Sequence, residues 1–559
     1  MADEDKVKQL LTRVDRLFDE EERYNAERLW DELSEFMLNN QYGFITSNTA
    51  TTTDLSSLAN SSPGAKRTKR VYDSTALKAV QDLSSAIHGT VTNPATKWSS
   101  LRNQQEDLND NDEVVRYLQE VNDRIHIELA ESNFNTEIGK AYQSFVALAN
   151  MVLFMESRND ENTGAFQGFR FTSVHLSQIA WAENKDGQVD TIFRKFEYTA
   201  RQAVDRWGNE VSDEILKAYE KEPDRVFTFV HCVHPRDKKD IKLNELGLAP
   251  GDKRPIASLY IDLSSKKLVE ESGYYEMPIF AVRWSTMPGE KYGRGPSHYA
   301  LPDTRTLNKL KMRGLESIDL QVRPPIFANQ RDIFGSLDLR PGAVNVLRDI
   351  KGVTEFRSAS RTDVLQFSIQ DLQTSIKEIF FLDKLLLPPR TETGEMTAFE
   401  VAQRIEQMQR VLGPTLSRLN SELLQPLIVR AFKTLLRSGQ LPEAPQILQE
   451  RGIDVEIVFV NQLARAQQIQ DVTNIQQWVQ NVAGLAQIKP EVVDNINSDG
   501  IARHVAKVLG VPEEAVLPRD VVDQQRQARA QAAQQAQQLE AGVKAADIAS
   551  KVGDQTGGQ

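Results

Sequence analysis

The residue types best suited to chemistry lie close together in one short stretch, His231-Cys232-Val233-His234. Imidazole nitrogens and a thiolate are the ligands that zinc prefers in proteins. Successive side chains of a strand point to opposite faces, however, so His231 would point away from both Cys232 and His234. A metal site and ordinary strand residues both remain open, and the alternation favours ordinary strand residues.

A second stretch, from Gly289 to Gly295, is rich in glycine and could be mistaken for a nucleotide-binding loop. Its spacing does not match G-x-G-x-x-G, and glycine also supplies the backbone angles of a tight turn. We therefore predict a turn that leads into the following helix. The sequence contains no G-x-x-x-x-G-K-[ST], G-x-S-x-G or H-E-x-x-H motif. We predict no catalytic residue, no metal and no cofactor.

The composition is that of a globular protein, with 559 residues, 40% hydrophobic and 26% charged. This length suffices for about three or four domains. The net charge of -12 argues against an outer surface built to hold nucleic acid, although local patches matter more than the sum. The charged N-terminus does not resemble a signal peptide, and no run of 18 apolar residues occurs. We expect a protein that is made in the cytoplasm and does not bind a membrane.

Periodicity predicts a mixed region flanked by helices. Helices are predicted at 1–38, 74–89, 112–131, 134–157, 303–321, 368–386, 397–437, 462–484 and 499–508. Strands are predicted at 166–197, with a turn at 184–187, and at 226–233, 258–262 and 279–284, and short helices near 199–219. Gly413-Pro414 and Pro426 should kink the helix that starts near 397, because proline removes a backbone donor.

Four stretches, taken together and in this order, resemble the head-to-tail connector, or portal, family of short-tailed double-stranded DNA phages. They are Val71–Ala76, Met277–Pro296, Thr393–Ala398 and Glu422–Leu427. The likeness runs from about residue 65 to about residue 480.

The resemblance implies a mainly α fold with a mixed α/β wing region, a portal-type fold of wing, stem, clip and crown. It also implies assembly as a ring, typically of twelve subunits. The chain would then divide into N-terminal helices and α/β wing (1–300), first stem helix (301–321), clip (322–365), second stem helix (366–386), tunnel loop (387–396), long kinked wing helix (397–440) and crown (441–559) with a Gln/Ala-rich C-terminal helix and a disordered tail.

The resemblance also implies two sets of contact residues. The tunnel loop would face DNA with Arg390, Thr391, Glu392, Thr393, Gly394 and Glu395, and the clip would dock partners through Arg323, Arg331, Arg340 and Arg348. The implied partners are the terminase large subunit, scaffold and major capsid protein, tail adaptor and tail tube proteins, and double-stranded DNA passing through the channel. The ring would be assembled in the host cytoplasm and would stand at the capsid portal vertex of the virion.

Two other functions stay open beside the portal. One is a DNA-processing enzyme, such as a nuclease or packaging motor subunit, and the other is a different virion ring protein, such as a tail adaptor. For the loop at 387–396, the alternative to a tunnel loop is a plain surface turn, since Pro388 and Pro389 stop the preceding helix and the following residues are polar.

Overall fold

The computed structural model describes residues 2–38, 71–105, 108–109, 111–160, 165–242, 249–322, 326–328, 353–355, 362–385, 412–451, 455–459, 472, 474–483, 496–509, 517, 521–522 and 524–532. The chain divides into two compact units. The first comprises 1–101, 119–443 and 455–458, and the second comprises 102–118, 444–454 and 459–559. Within the described segments, none of the helices combines the length and the apolarity needed to cross a bilayer.

The named helices, in chain order, are α1 (Ala2–Phe18), α2 (Glu21–Leu33), α3 (Thr75–Val91), α4 (Asp112–Glu131), α5 (Phe134–Leu148), α6 (Ala200–Trp207), α7 (Asp213–Lys221), α8 (Pro296–Val322), α9 (Thr362–Ile379), α10 (Leu382–Leu385), α11 (Gln425–Arg437), α12 (Gln446–Arg451) and α13 (Ser498–Leu509). Residues 412–419, 474–483 and 524–532 are also helical. In the second unit, Arg526 pairs with Asp499 at the start of α13, with an Nη2–Oδ1 distance of 2.7 Å.

The strands are β1 (Ser99–Asn103), β2 (Asn150–Asn159), β3 (Phe166–Val174), β4 (Ile179–Glu183), β5 (Val189–Thr199), β6 (Val226–Pro235), β7 (Ile256–Asp262), β8 (Lys267–Tyr274), β9 (Ile279–Arg283), β10 (Ile326–Ala328), β11 (Val353–Glu355) and β12 (Val455–Phe459). An antiparallel five-stranded sheet has the order β4-β5-β6-β7-β8, and an antiparallel three-stranded sheet has the order β3-β2-β9. The mixed α/β region predicted from the sequence is present, although β8 was not predicted.

Helix α1 covers one face of the five-stranded sheet. Its apolar residues recur every three or four positions and so form one stripe. That stripe is buried and consists of Val7, Leu10, Leu11, Val14 and Leu17. Phe193, Cys232 and Leu259 of the sheet lie in the same core. The predicted amphipathic helix is confirmed over α1, and its polar side, including Asp15, is exposed. A single helix over 1–38 is wrong, because Glu20 is extended and separates α1 from α2, which a π turn at Ser34–Leu38 follows.

The prediction of one helix over 134–157 is wrong beyond Leu148. Helix α5 ends there because Ala149 takes a left-handed conformation with φ of 56°, and Asn150 begins β2. A continuous apolar run fits a buried strand as well as a buried helix, and periodicity cannot separate the two. The run therefore contains the end of a helix and the start of the central strand of the three-stranded sheet.

Helices α8 and α9 pack as an antiparallel pair, which we call the hairpin, against α2, α3 and α5. We call the three-stranded and five-stranded sheets, with α1 to α3 and α5 to α7, the body. Both helices start earlier than predicted, α8 at Pro296 and α9 at Thr362. Proline suits a first helical position, where its missing N–H has no partner in any case. Between the helices, β10 and β11 pair in antiparallel register.

The helix that follows residue 411 is irregular near the predicted kink. A π turn, Asn420–Leu424, interrupts it directly before α11, in which Pro426 occupies the first turn. A π turn adds a residue to the helical path, and such turns are frequent at functional sites. This one places Glu422 against the end of β9.

Candidate functional site

The junction between the hairpin and the body is built around Asp73, a buried residue two positions before α3. One carboxylate oxygen accepts the backbone N–H of Thr75 at 2.6 Å. The other oxygen accepts Nζ of Lys311, on α8, at 2.6 Å and Nε2 of Gln373, on α9, at 2.8 Å. A single carboxylate thus contacts both helices of the hairpin and the start of a body helix.

A second side chain at this junction fixes the chain on either side of Asp73. Oδ1 of Asn308, on α8, accepts the backbone N–H groups of Tyr72 and Asp73 at 2.6 and 2.9 Å. Burial alone would raise the pKa of Asp73, but hydrogen bonds from Lys311, Thr75 and Gln373 hold the pKa of this carboxyl below its ordinary value. Asp73 is therefore charged near neutral pH.

The two helices of the hairpin approach closely beyond this junction. A Cβ atom on Gly314 would lie 2.9 Å from Cδ2 of Leu365, so the space beside α8 is filled by α9. Nearer the body, Ser375 donates to Oδ2 of Asp303 at 2.8 Å. These contacts hold the pair together on one side, whereas several large apolar residues on other sides face water.

Several large apolar residues of the hairpin are exposed, among them Tyr299 near the start of α8, which is 56% exposed. Leu315, Ile318 and Val322 recur at helical spacing on α8 and are 54%, 49% and 72% exposed. Phe367 on α9 is 73% exposed. Single exposed apolar residues are ordinary, but Leu315, Ile318 and Val322 share one face of α8, which indicates a contact surface.

A second polar cluster lies at the end of β9, around Arg283. Its side chain donates to Glu422 at 2.7 Å and to the carbonyl of Gly187 at 3.0 Å, and it also pairs with Glu183. Nε donates to Glu422, and Nη1 donates to Glu183 and to the Lys291 carbonyl. All five N–H groups of the guanidinium therefore have protein partners. Burial would lower the pKa of Arg283, but the two carboxylates raise it.

A polar cavity of about 560 Å³ adjoins this cluster. Its lining includes Asp186, Glu290, Ser417 and Arg418. Since Arg283 is fully engaged by the protein, it has no donor left for a ligand. The cluster is a cross-link that joins both sheets to the π turn.

The glycine-rich stretch 289–295 is a turn that enters α8, as the sequence predicted. The N–H of Gly293 donates to Oδ1 of Asn150 at 2.8 Å, and Nδ2 of Asn150 donates back to the Gly293 carbonyl at 3.2 Å. A Cβ atom at position 293 would lie 2.5 Å from the Ala149 carbonyl oxygen. Tyr292 packs between Trp30 and Trp181.

His231 and Cys232 point to opposite faces of the sheet, as predicted for strand residues. His231 stacks on Tyr260 with ring centroids 4.0 Å apart, and its Nε2 contacts Ser258. Burial, together with Arg194 and Arg206, lowers its pKa well below the usual value. Cys232 lies in the core beneath α1. Within the described segments, no group of three or more possible metal ligands occurs.

The predicted contact residues all lie outside the described residues, both those of the tunnel loop, 390–395, and the clip arginines Arg323, Arg331, Arg340 and Arg348. Sequence reasoning missed the Asp73 junction and the Arg283 cluster as sites. The only signal was that Asp73, Tyr292 and Glu422 fall within the stretches that carried the family resemblance.

Comparison with known proteins identifies the class. The family model described as bacteriophage head to tail connecting protein matches residues 7–517. The chain therefore belongs to this family, which confirms the predicted portal, or head-to-tail connector, function.

Individual relatives agree with the family match. The chain is 28% identical to the probable portal protein of Bordetella phage BPP-1, with 99% of this chain and 96% of the relative covered. It is 29% identical to the portal protein of Salmonella phage epsilon15, with 95% and 93% covered. The portal protein of Pseudomonas phage phiKMV is 24% identical over 42% of this chain and 46% of that protein.

Proposed function

We propose that this chain is a structural portal subunit that assembles with copies of itself into a closed ring at one vertex of the capsid. The observation that carries the proposal is the exposed apolar face of α8, formed by Leu315, Ile318 and Val322, together with the exposed Phe367 on α9, in a chain of the head-to-tail connecting family. Burial of apolar surface favours association, and one contact repeated between identical subunits closes into a ring when its rotation permits.

The parts of the ring follow the division implied by the family. The body supplies the wing, the hairpin supplies the stem, residues 322–365 form the clip, and residues 441–559 form the crown. The ring, typically of twelve subunits, serves as the channel for packaging and ejection of double-stranded DNA. Its partners are the terminase large subunit, scaffold and major capsid protein during assembly in the host cytoplasm, and tail proteins afterwards.

Microscopy of the purified protein tests ring formation. We expect negative-stain images of rings with a central hole, and a matching mass by light scattering. A monomer at all concentrations would overturn the proposal, and a monomer that hydrolyses ATP or DNA would favour the DNA-processing enzyme.

The tunnel loop is tested by deletion of residues 390–395. In this proposal Arg390 contacts passing phosphates, while Glu392 and Glu395 prevent tight binding by like-charge repulsion. Capsids that carry the deletion should assemble but package or retain less DNA. Full and stably retained genomes would show that the segment is only a turn.

The clip is tested by replacement of residues 322–365 with a short Gly/Ser linker. Apart from Val322, which ends α8, and Thr362–Leu365, which begin α9, these residues come between the two hairpin helices, so the body should fold as before. Binding of terminase or the tail adaptor should be lost. Normal capture of both partners by the replaced chain would contradict a docking role for the clip arginines.

A further inference from the structure

Asp73 ties together three elements that belong to two parts of the subunit. Its carboxylate bonds to Thr75 at the start of α3 in the body, to Lys311 on α8 and to Gln373 on α9. Two further polar contacts between the described parts of hairpin and body involve α8 alone. They are the bond from Ser297 to the Val146 carbonyl and the pair of Arg305 with Glu32.

The negative charge of Asp73 is what suits it to this position. All three of its partners are donors, and one of them is an ammonium group, so a carboxylate with two acceptor oxygens satisfies them together. Asparagine has nearly the same shape but offers one acceptor and two donors. An asparagine at position 73 would lose the ion pair with Lys311, and its amide N–H₂ group would point at one of the donors that Asp73 accepts.

We propose that Asp73 is a positioning residue that fixes the angle between hairpin and body, and that this angle sets the number of subunits that close the ring. The inference rests on the proposed ring function. In a cyclic assembly each subunit turns by a full circle divided by the subunit number, about 30° for twelve and about 33° for eleven. A change of a few degrees at the junction, repeated in every subunit, therefore alters closure.

The test compares Asp73→Asn with the wild-type chain and with Asp82→Asn. Asp82 is exposed on α3, so the control makes the same change on the neighbouring helix without touching the junction. Ring mass is measured by native mass spectrometry, and symmetry by class averages of electron micrographs. Both are measured well below the unfolding temperature, where a loss of stability alone does not change ring size.

Wild-type and Asp82→Asn rings should show one subunit number, whereas Asp73→Asn should give several numbers or open arcs. Lys311→Met removes the ion pair but leaves the other two bonds of Asp73, so it should give a narrower spread of masses than Asp73→Asn. If Asp73→Asn fails to fold, Lys311→Met alone tests the inference. Uniform rings of the wild-type number from either junction variant would overturn the inference while the ring function stands. Absence of rings from the wild-type chain would instead overturn the proposed function.

Discussion

The body and the hairpin differ in what the single chain leaves exposed or unpaired. In the body, buried charges have protein partners: Arg283 has two carboxylates and two carbonyls, and Arg23 donates to the carbonyls of Leu176, Ser177 and Ile179. On the hairpin, Leu315, Ile318, Val322 and Phe367 face water.

In the proposed ring, folding of the single chain would complete the body, whereas assembly would complete the hairpin. A buried charge without a partner is very costly, so the body must complete its network within one chain. An exposed apolar side chain costs far less free energy than an unpaired buried charge. It can stay exposed in the single chain and become buried against a neighbouring subunit in the proposed ring. The two regions should therefore respond in opposite ways to mutation, one through folding and the other through assembly.

Removal of α1 should have the largest effect on the body. Five buried apolar side chains of this helix cover the sheet, and burial of each is worth about 1.5–3 kcal/mol. That sum is comparable with the whole stability of a typical domain, about 5–15 kcal/mol. We expect deletion of residues 2–18 to expose the sheet face that holds Cys232.

The thiol of Cys232 reports this exposure directly. Burial raises its pKa to about 12, so the reactive thiolate is scarce at pH 8 in the intact chain. Alkylation should be negligible in the intact protein and rapid after the deletion. Rapid alkylation of the intact chain would contradict the closed core beneath α1.

Arg283→Met should produce the next largest effect. The change removes the cation that Glu422 and Glu183 share and leaves Glu422 the longer pair with Arg418 at 3.5 Å. Loss of one partner of a buried ion pair costs about 3–5 kcal/mol. Arg294→Met is the matched control, because Arg294 is half exposed and pairs with Glu290 at the surface. That variant should lose no more than about 1 kcal/mol. Equal melting temperatures for the two variants would show that the Arg283 cross-link is not needed.

A pair of glycine substitutions probes backbone packing in the body. Gly293→Ala places a Cβ atom 2.5 Å from the Ala149 carbonyl oxygen, and such overpacking costs about 1–3 kcal/mol. Gly89→Ala in α3 meets no atom within 4 Å, and alanine favours a helix by about 0.4–1 kcal/mol. The melting temperature should fall for Gly293→Ala and should stay level or rise for Gly89→Ala. A fall of equal size in both would contradict the close approach at Gly293.

Local patterns were readable from the sequence, whereas the contacts between distant segments were not. The apolar stripe of α1 predicted an amphipathic helix, and the alternation at His231 and Cys232 predicted strand residues on opposite faces. Nothing in the sequence placed α1 on β6. The bond between Asp73 and Gln373 joins positions 300 residues apart, and periodicity carries no information about such a pair. The tunnel-loop and clip residues stay predictions.

The smallest folding effect should occur on the hairpin itself, at Leu315. This side chain is 54% exposed, whereas Leu307 on the same helix is fully buried. Leu315→Ala should change the free energy of unfolding by no more than about 0.5 kcal/mol, and Leu307→Ala should lower it by about 2–5 kcal/mol. For ring formation we expect the opposite order. When both variants are compared as folded chains, Leu315→Ala should weaken the ring more than Leu307→Ala, because Leu315 belongs to the proposed contact surface. Mass photometry over a dilution series should show that Leu315→Ala rings dissociate at a higher protein concentration than wild-type rings. Unchanged dissociation together with unchanged stability would mean that this residue serves neither folding nor assembly, and the contact surface would then have to lie elsewhere on the hairpin.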